Sequence, residues 1–102
     1  MQTKLITLTM GSINNTYLRT AAIADFVPDD VIGGSNKNVC APKLISVDYG
    51  GGLVSHTDVD AKKQILRDRK TVSAFMKRHH LQAGDQVSVT RTGTYSLSVA
   101  PI

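Results

Sequence analysis

The sequence has little of what disulfide-rich, membrane-spanning and aromatic-rich proteins are built from. Among its 102 residues are one cysteine, three tyrosines, two phenylalanines and no tryptophan. A single cysteine excludes an intramolecular disulfide, and Val39 and Ala41 beside Cys40 favour a small core residue over a nucleophile. No apolar run is long enough to span a membrane, and none at the start resembles a signal peptide. A cytoplasmic protein is therefore expected.

The shortage of aromatic residues means that the core must be built mostly from valine, isoleucine, leucine and alanine. Apolar residues make up 41% of the chain, which is enough for one modest core. Charged residues make up 20%, an ordinary share that argues against wholesale disorder. A chain of this length fits one domain and leaves little room for a second, so residues 1–102 are expected to form a single domain.

Positive charge is concentrated in one part of the chain. The formal net charge is +4, yet residues 60–80 hold seven basic and two acidic residues, while the remainder holds five basic and six acidic ones. This asymmetry predicts a polyanionic partner, nucleic acid first and a membrane surface second. A basic surface without any partner is the plain alternative.

Local patterns predict a mainly β fold with about seven short strands and two short helices. Residues 4–19 are expected to form a hairpin, because residues 11–16 have the composition of a turn. Glycines at 50–52 mark a second hairpin turn. The strands that can be assigned lie within residues 4–10, 16–19, 42–51, 53–60, 86–91 and 95–100.

The two helices are expected at residues 21–26 and 72–80. Thr20 and Thr71 precede them and are the predicted N-caps. In the second helix, Val72, Phe75, Met76 and His79 recur at helical spacing and predict one buried face. Gly84 suits a left-handed position after this helix.

No group of residues predicts an active site. The nearest candidate is a metal-dependent nuclease motif that combines Asp29 after Pro28 with Asp68 and Lys70, or with Asp60-Ala61-Lys62. Such chemistry needs carboxylates at adjoining strand positions, whereas Asp29 follows a helix end and a proline. The nuclease is therefore kept only as the catalytic alternative.

Metal and cofactor sites are not expected either. His79 and His80 are adjacent on the predicted helix, so their side chains point about 100° apart and do not face one metal ion. The pair Gly33-Gly34 is not followed by the Lys-Ser/Thr of a phosphate-binding loop. No catalytic residue, metal or cofactor is predicted.

Two polar segments carry the side-chain types that bind DNA. We call them the N-terminal polar segment (residues 11–19) and the central polar segment (residues 57–70). Lys and Arg neutralise phosphates, while Arg or Lys on guanine, Asn or Gln on adenine and Asp or Glu on cytosine read base edges. The predicted DNA-binding residues are Ser12, Asn14, Asn15, Tyr17 and Arg19 in the first segment and Asp60, Lys62, Lys63, Gln64, Arg67, Asp68 and Arg69 in the second. A solvated hairpin with internal ion pairs is the alternative.

Four stretches in this order resemble a known family: "INNTYL", "ADFVPDDVIGG", "VSHTDVDAKKQILRDR" and "VSAFMKRHHLQAGDQVSVTRTGTYSLSV". They resemble the B3-like pseudobarrel DNA-binding domain over roughly residues 4–100. The nearest similarity is to the target-recognition (effector) domains of bacterial restriction endonucleases, and plant B3 transcription-factor domains are more distant. The resemblance implies a seven-stranded open pseudobarrel with two short helices and two arms that clasp the major groove.

The resemblance also implies roles for individual residues. The N-arm corresponds to residues 11–19 with Asn14 and Asn15 at its tip, and the C-arm corresponds to residues 57–69. In addition to the residues already named, Ser35, Asn36 and Lys37 after Gly34 are expected to touch the DNA backbone. The base of the C-arm is expected to be held by Thr57, Asp58, Ile65 and Leu66.

The implied partner is double-stranded DNA, with no membrane partner and no catalysis by this chain alone. The domain is expected to be monomeric and to come from the cytoplasm of a bacterium. A separate nuclease domain is expected in the parent protein, a type II restriction endonuclease. A stand-alone binder that resembles a transcription factor is the alternative.

Overall fold

Two β-sheets form the frame of the molecule, which a computed structural model describes over residues 2–34 and 41–102. The predicted DNA contacts Asn36 and Lys37, together with Ser35 and Cys40, lie outside these ranges. Within the described ranges there are eight strands, which are β1 (Thr3–Thr7), β2 (Ile32–Gly33), β3 (Ile45–Asp48), β4 (Val54–Thr57), β5 (Val59–Asp60), β6 (Ile65–Leu66), β7 (Gln86–Gly93) and β8 (Ser96–Pro101). One sheet has the order β1-β7-β8-β3-β4 and the other β2-β5-β6. The prediction of a mainly β fold is confirmed, with eight strands in two sheets where about seven strands were expected.

The helices are few and short. They are α1 (Met10–Asn15), α2 (Arg69–Arg78) and two 3-10 helices at Ala21–Phe26 and Asp29–Val31. In the part of the chain that the structure describes, no helix combines the length and apolarity needed to cross a membrane. The helix predicted at residues 21–26 is present as the first of the two 3-10 helices. Its predicted N-cap, Thr20, makes no side-chain cap hydrogen bond.

The predicted hairpin over residues 4–19 is wrong. Residues 10–15 form α1 instead of a turn, because the Thr9 hydroxyl caps the helix by accepting the Ser12 amide at 3.1 Å. Thr16 ends the helix in a left-handed conformation with φ 51°. Strand β1 pairs with the distant β7, and the expected return strand contributes only the bridge between Arg19 and Ile65.

Helix α2 begins three residues before its predicted start. Its N-cap is Asp68, whose carboxylate accepts the Thr71 amide at 3.3 Å and the Thr71 hydroxyl at 2.7 Å. Thr71 is thus a donor to the cap rather than the cap itself. The predicted buried face is confirmed for Val72, Phe75 and Met76.

The core lies between the five-stranded sheet and α2. Alternate residues of β7 and β8 point into it, as the period of a strand requires. The Tyr49 and Phe75 rings contact each other there, with centroids 5.1 Å apart. Most other buried core side chains are aliphatic, as the composition predicts: Ile6, Leu8, Leu18, Ile23, Val31, Ile45, Val47, Val59, Leu66, Val72, Val87, Val89, Leu97 and Val99.

The hairpin predicted at the three glycines is confirmed. Strands β3 and β4 pair antiparallel. The turn between these strands contains Gly50, Gly51 and Gly52, each of which has a positive φ. Such angles favour residues without a Cβ, so the turn needs this glycine run. The carboxylate of Asp48 accepts the Gly50 amide at 2.8 Å and closes the turn.

Candidate nucleic-acid interface

Backbone hydrogen bonds bring the two polar segments together. The Leu66 amide donates to the Leu18 carbonyl at 3.1 Å, and the Thr20 amide donates to the Gln64 carbonyl at 2.8 Å. Strand β6 also pairs with β5, which in turn pairs with β2. The N-terminal polar segment therefore lies along the outer side of the hairpin that carries the middle of the central polar segment.

Asp58 and Arg67 form the base of that hairpin. Asp58 is 3% exposed, and its carboxylate accepts the Arg67 Nε–H at 2.7 Å and the Ala41 amide at 3.0 Å. Burial alone would raise the pKa of Asp58, but the hydrogen bond from Arg67, the Ala41 amide and the Arg67 charge outweigh burial and lower it. The Arg67 Nη2 also donates to the Gly34 carbonyl at 2.5 Å. Arg67 is thus engaged within the fold, and its predicted contact with a base is corrected to a structural role.

Asp60 is likewise a support of the hairpin. Its side chain is buried, and one carboxylate oxygen accepts the amides of Lys62 and Lys63 at 3.0 and 3.1 Å. The Asp60 carbonyl accepts the Gln64 amide at 2.7 Å. A carboxylate that closes its own turn in this way is not presented to a cytosine, so the base-reading role predicted for Asp60 is corrected.

Asp68 joins β4 to α2. Besides capping α2, its carboxylate accepts the Ser55 hydroxyl at 2.5 Å, and its amide donates to the Thr57 hydroxyl at 3.0 Å. Burial alone would raise the pKa of Asp68, whereas the hydrogen bonds from Ser55 and from Thr71 lower it, and the net shift is downward. The predicted DNA contact of Asp68 is corrected to this capping role.

Ser12 is the fourth predicted DNA-binding residue whose side chain is engaged within the fold. It is 2% exposed, and its hydroxyl lies 3.0 Å from the Thr9 hydroxyl at the start of α1. Asn14 and Asn15, by contrast, are exposed at the end of α1. The Asn15 side-chain amide donates to the Gly11 carbonyl at 3.1 Å, which leaves its oxygen outward as an acceptor.

The cations and amides of the central polar segment remain on the surface. Lys62, Lys63, Gln64 and Arg69 are all exposed. Gln64 has a φ of 55°, a left-handed angle that costs a residue with a Cβ roughly 1 kcal/mol or more. The tight turn therefore separates charge by sign, with carboxylates held inside and cations held outside.

A first groove lies where the two polar segments meet, and we call it the arm groove. It is lined by Tyr17, Arg19, Lys62, Lys63 and Ile65, with a volume of about 290 Å³. The Arg19 Nη2 donates to the Tyr17 hydroxyl at 3.2 Å, and the guanidinium lies 5.3 Å from the centre of the Tyr17 ring. Four of the predicted DNA-binding residues are therefore brought together in this groove.

A second groove lies between the end of α1 and the outer face of α2, and we call it the helix groove. Its volume is about 430 Å³, and it brings the predicted residues Asn15 and Arg69 together. Its lining is Asn15, Thr16, Arg69, Lys70, Ser73, Ala74 and Lys77. Lys70 and Lys77 lie in the basic stretch at residues 60–80, but the sequence did not predict them as DNA-binding residues. Their seven-residue spacing, which puts both on one helix face, is the signal that could have identified them.

Among the described residues, the lysines of both grooves and Arg69 differ from Lys4 and Lys43 in having no partner for the charged group. Lys4 is paired with Asp25, and Lys43 lies 3.8 Å from Asp30. Across residues 2–34 and 41–102, no ion pair or side-chain hydrogen bond engages the ammonium or guanidinium groups listed here: Lys62, Lys63, Arg69, Lys70 and Lys77. The grooves therefore present uncompensated positive charge.

Asp68, one carboxylate of the nuclease alternative, is engaged within the fold. The carboxylate of Asp68 is occupied by hydroxyl and amide donors, as described above. Among the described residues, no three His, Cys, Asp or Glu side chains are grouped so as to hold a metal ion. His79 packs edge-on against Phe75, with ring centroids 5.1 Å apart.

Comparisons of the chain with protein-family models, with curated proteins and with solved structures each found no match.

Proposed function

We propose that this chain is a sequence-specific double-stranded DNA-binding domain whose two polar segments enter the major groove. The observation that carries the proposal is the separation of charge in the central polar segment. Asp58, Asp60 and Asp68 are held by the fold, while the exposed lysines and Arg69 have no partner among the described residues. Uncompensated cations on a folded surface are the electrostatic footprint of a nucleic-acid binder.

The shape of the surface supports the major groove as the binding site. The groove of B-DNA is about 12 Å wide and admits a two-stranded β-ribbon. Strands β5 and β6 are two buried residues each, and the exposed turn at residues 61–64 between them, with residues 17–19 beside it, is the part proposed to enter the groove. We assign base contacts to Lys63 and Gln64 at the turn, because Lys reads guanine and Gln reads adenine. Phosphate contacts are assigned to Arg19 and Lys62.

We further propose that the fold is a B3-like pseudobarrel and that the parent protein is a bacterial type II restriction endonuclease. The sequence motifs support this assignment, as does the mainly β architecture with short helices. The N-arm and C-arm of that family would correspond to residues 11–19 and 57–69, which are adjacent in this chain. A stand-alone DNA binder of the same fold is the alternative parent.

Binding-site selection from a random duplex library tests the proposal and identifies the target DNA sequence in the same experiment. We expect one enriched sequence, followed by fluorescence-anisotropy titrations in which the selected duplex binds at least about 1000-fold more tightly than a scrambled one. Absence of any duplex binding near 50 mM salt would refute DNA binding. Equal affinity for every duplex would refute direct readout by the two segments.

Point variants then assign the base contacts. Lys63→Ala and Gln64→Ala should each cost about 1–3 kcal/mol of binding to the selected duplex and relax the preference at one position. Lys4→Ala removes the same charge as Lys63→Ala, but from a lysine already paired with Asp25, so it serves as the matched control. If Lys63→Ala weakens selected and scrambled duplexes alike, Lys63 contacts phosphate and not a base.

The nuclease alternative has its own test. The purified chain is incubated with a supercoiled plasmid and magnesium ions, and we expect the plasmid to remain intact. Cleavage that disappears in Asp68→Asn would establish the nuclease, because this variant alters the proposed metal ligand while keeping one acceptor oxygen for the α2 cap.

A further inference from the structure

We propose that the helix groove is a binding site for the phosphate backbone of the DNA, separate from the base-reading turn. The inference rests on the proposed function and extends it to residues beyond the DNA contacts predicted from the sequence. Lys70, Ser73 and Lys77 lie on α2, and Thr16 lies at the end of α1. None of these four belongs to the residues predicted from the sequence to contact DNA.

The chemistry of the lining matches a phosphate backbone. Seven residues line the groove, and they offer two ammonium groups, one guanidinium, one carboxamide and the Ser73 hydroxyl without any carboxylate, while the Thr16 hydroxyl donates to the Asn15 carbonyl at 2.8 Å. Phosphate oxygens are bound by these groups, whereas purine and pyrimidine edges require a mixture of donors and acceptors. The nearest acid along the chain, Asp68, is held by Ser55 and Thr71 at the cap of α2. Asp68 stays ionised, but its oxygens accept donors at the cap of α2, so the lining of the groove itself contains only cationic and neutral side chains.

The length of the groove matches a polymer better than a single small anion. Lys70 and Lys77 are seven residues apart on α2, which corresponds to roughly 10 Å along the helix axis. A DNA strand carries one phosphate per roughly 3.4 Å of duplex axis, and its phosphates are farther apart along the strand itself, so this length can face more than one phosphate. The small side chains of Ser73 and Ala74 lie between the two lysines and leave room for the backbone to approach.

The helix groove and the arm groove share one short segment of the chain. Asn15 and Thr16 line the helix groove, and Tyr17 and Arg19 line the arm groove. A strand whose bases are read at the arm groove can therefore extend its backbone along α2. The positive end of the α2 dipole adds a smaller attraction at Arg69 and Lys70.

The test compares two double variants that remove the same charge. Lys70→Gln/Lys77→Gln removes the cations of the helix groove, while Lys4→Gln/Lys43→Gln removes two cations that have carboxylate partners. Binding to the selected and the scrambled duplex is titrated from 50 to 200 mM salt for both variants and the wild type. Circular dichroism and urea unfolding verify that each variant is folded.

We expect the helix-groove variant to bind both duplexes more weakly by the same factor, with its sequence preference unchanged. The slope of log affinity against log salt should become less negative by about 1.8, because two phosphate contacts are lost. The affinity ratio of wild type to variant should then shrink about twelvefold between 50 and 200 mM salt. The control variant should keep the wild-type slope.

The outcomes separate the two proposals. If the wild type prefers its selected duplex and the helix-groove variant keeps the wild-type salt slope, the helix groove is not a phosphate site while the proposed function stands. An altered preference at a base position in that variant also overturns the inference, because the groove would then read bases. If the wild type binds no duplex, both proposals are wrong.

Discussion

Asp60 fixes the turn that presents Lys62 and Lys63, because its carboxylate accepts both of their backbone amides. We expect Asp60→Ala to lower the free energy of unfolding by about 1–3 kcal/mol, since two amide donors lose their acceptor. Asp60→Asn keeps one acceptor oxygen and should lose less. Urea unfolding followed by circular dichroism measures both. An Asp60→Ala chain as stable as the wild type would mean that the turn does not need this carboxylate.

Asp58 and Asp68 make stability sensitive to acid. The pKa of each is lowered in the folded chain, by Arg67 and Ala41 for the first and by Ser55 and Thr71 for the second, so each stabilises the fold when ionised. This contribution is complete above the ordinary Asp pKa of 3.8 and is lost as the pH falls through the lower folded value. The urea midpoint should therefore fall as the pH is lowered from 5 to 2.5.

The double variant Asp58→Asn/Asp68→Asn isolates this contribution. It should be less stable at neutral pH and should show a flatter dependence of the urea midpoint on pH over the same range. An equally steep dependence in the double variant would assign the acid sensitivity to other carboxylates, of which Asp25 beside Lys4 is the first to examine.

At the scale of single residues, the sequence predicted the supports better than the contacts. Thr57, Asp58, Ile65 and Leu66 were expected to be structural, and all four are buried. The four residues turned inward against expectation have two different reasons. The side chains of Ser12 and Asp60 bond to groups within three residues of themselves, in α1 and in the turn after β5. Arg67 and Asp68 reach Asp58 and Ser55 only once the strand register is set. That register pairs Val59 with Leu66 and brings Arg67 to Asp58, nine residues away.

At the scale of elements, the accuracy of the helix predictions depended on the capping residues at the helix ends. The apolar spacing of α2 was visible, but its start at Arg69 depends on the Asp68 cap. Helix α1 was missed because glycine, serine and asparagine are weak helix formers that favour turns. The Thr9 cap and packing of the short helix, with Ile13 against the core, outweigh that local preference.

Thr9→Ala tests whether α1 depends on its cap. The substitution removes the acceptor of the Ser12 amide and should cost about 0.5–2 kcal/mol of stability. Hydrogen exchange should accelerate at the Ile13 and Tyr17 amides, which bond to Thr9 and Ser12 carbonyls in this helix. Because Asn15 and Thr16 line the helix groove, duplex affinity should also fall without a change in sequence preference. Unchanged exchange at Ile13 would show that packing alone holds α1.

At the scale of the whole molecule, local pairings were predictable and distant ones were not. The β3–β4 hairpin and the β7–β8 hairpin each follow from a turn between neighbouring strands. Strand β1 instead pairs with β7, so that Thr3 meets Thr90 across most of the chain. The contact of residues 18–20 with residues 64–66 is equally distant, and it is what places both polar segments on one surface.

Because these distant pairings tie both segments to the core, the surface proposed to bind DNA is already formed in the folded chain. Duplex binding should then raise the free energy of global unfolding by RT ln(1 + [L]/Kd), which is about 2.7 kcal/mol for free selected duplex at 100 times its Kd. A scrambled duplex at the same concentration, bound at least about 1000-fold more weakly, should give a gain of less than about 0.1 kcal/mol. Lys63→Ala should reduce the gain from the selected duplex at that fixed concentration, whereas Lys4→Ala should leave it unchanged. Urea unfolding with and without duplex measures this. A chain that binds the duplex by anisotropy but gains no stability would bind equally well when unfolded, and the preformed surface described here would not be the site.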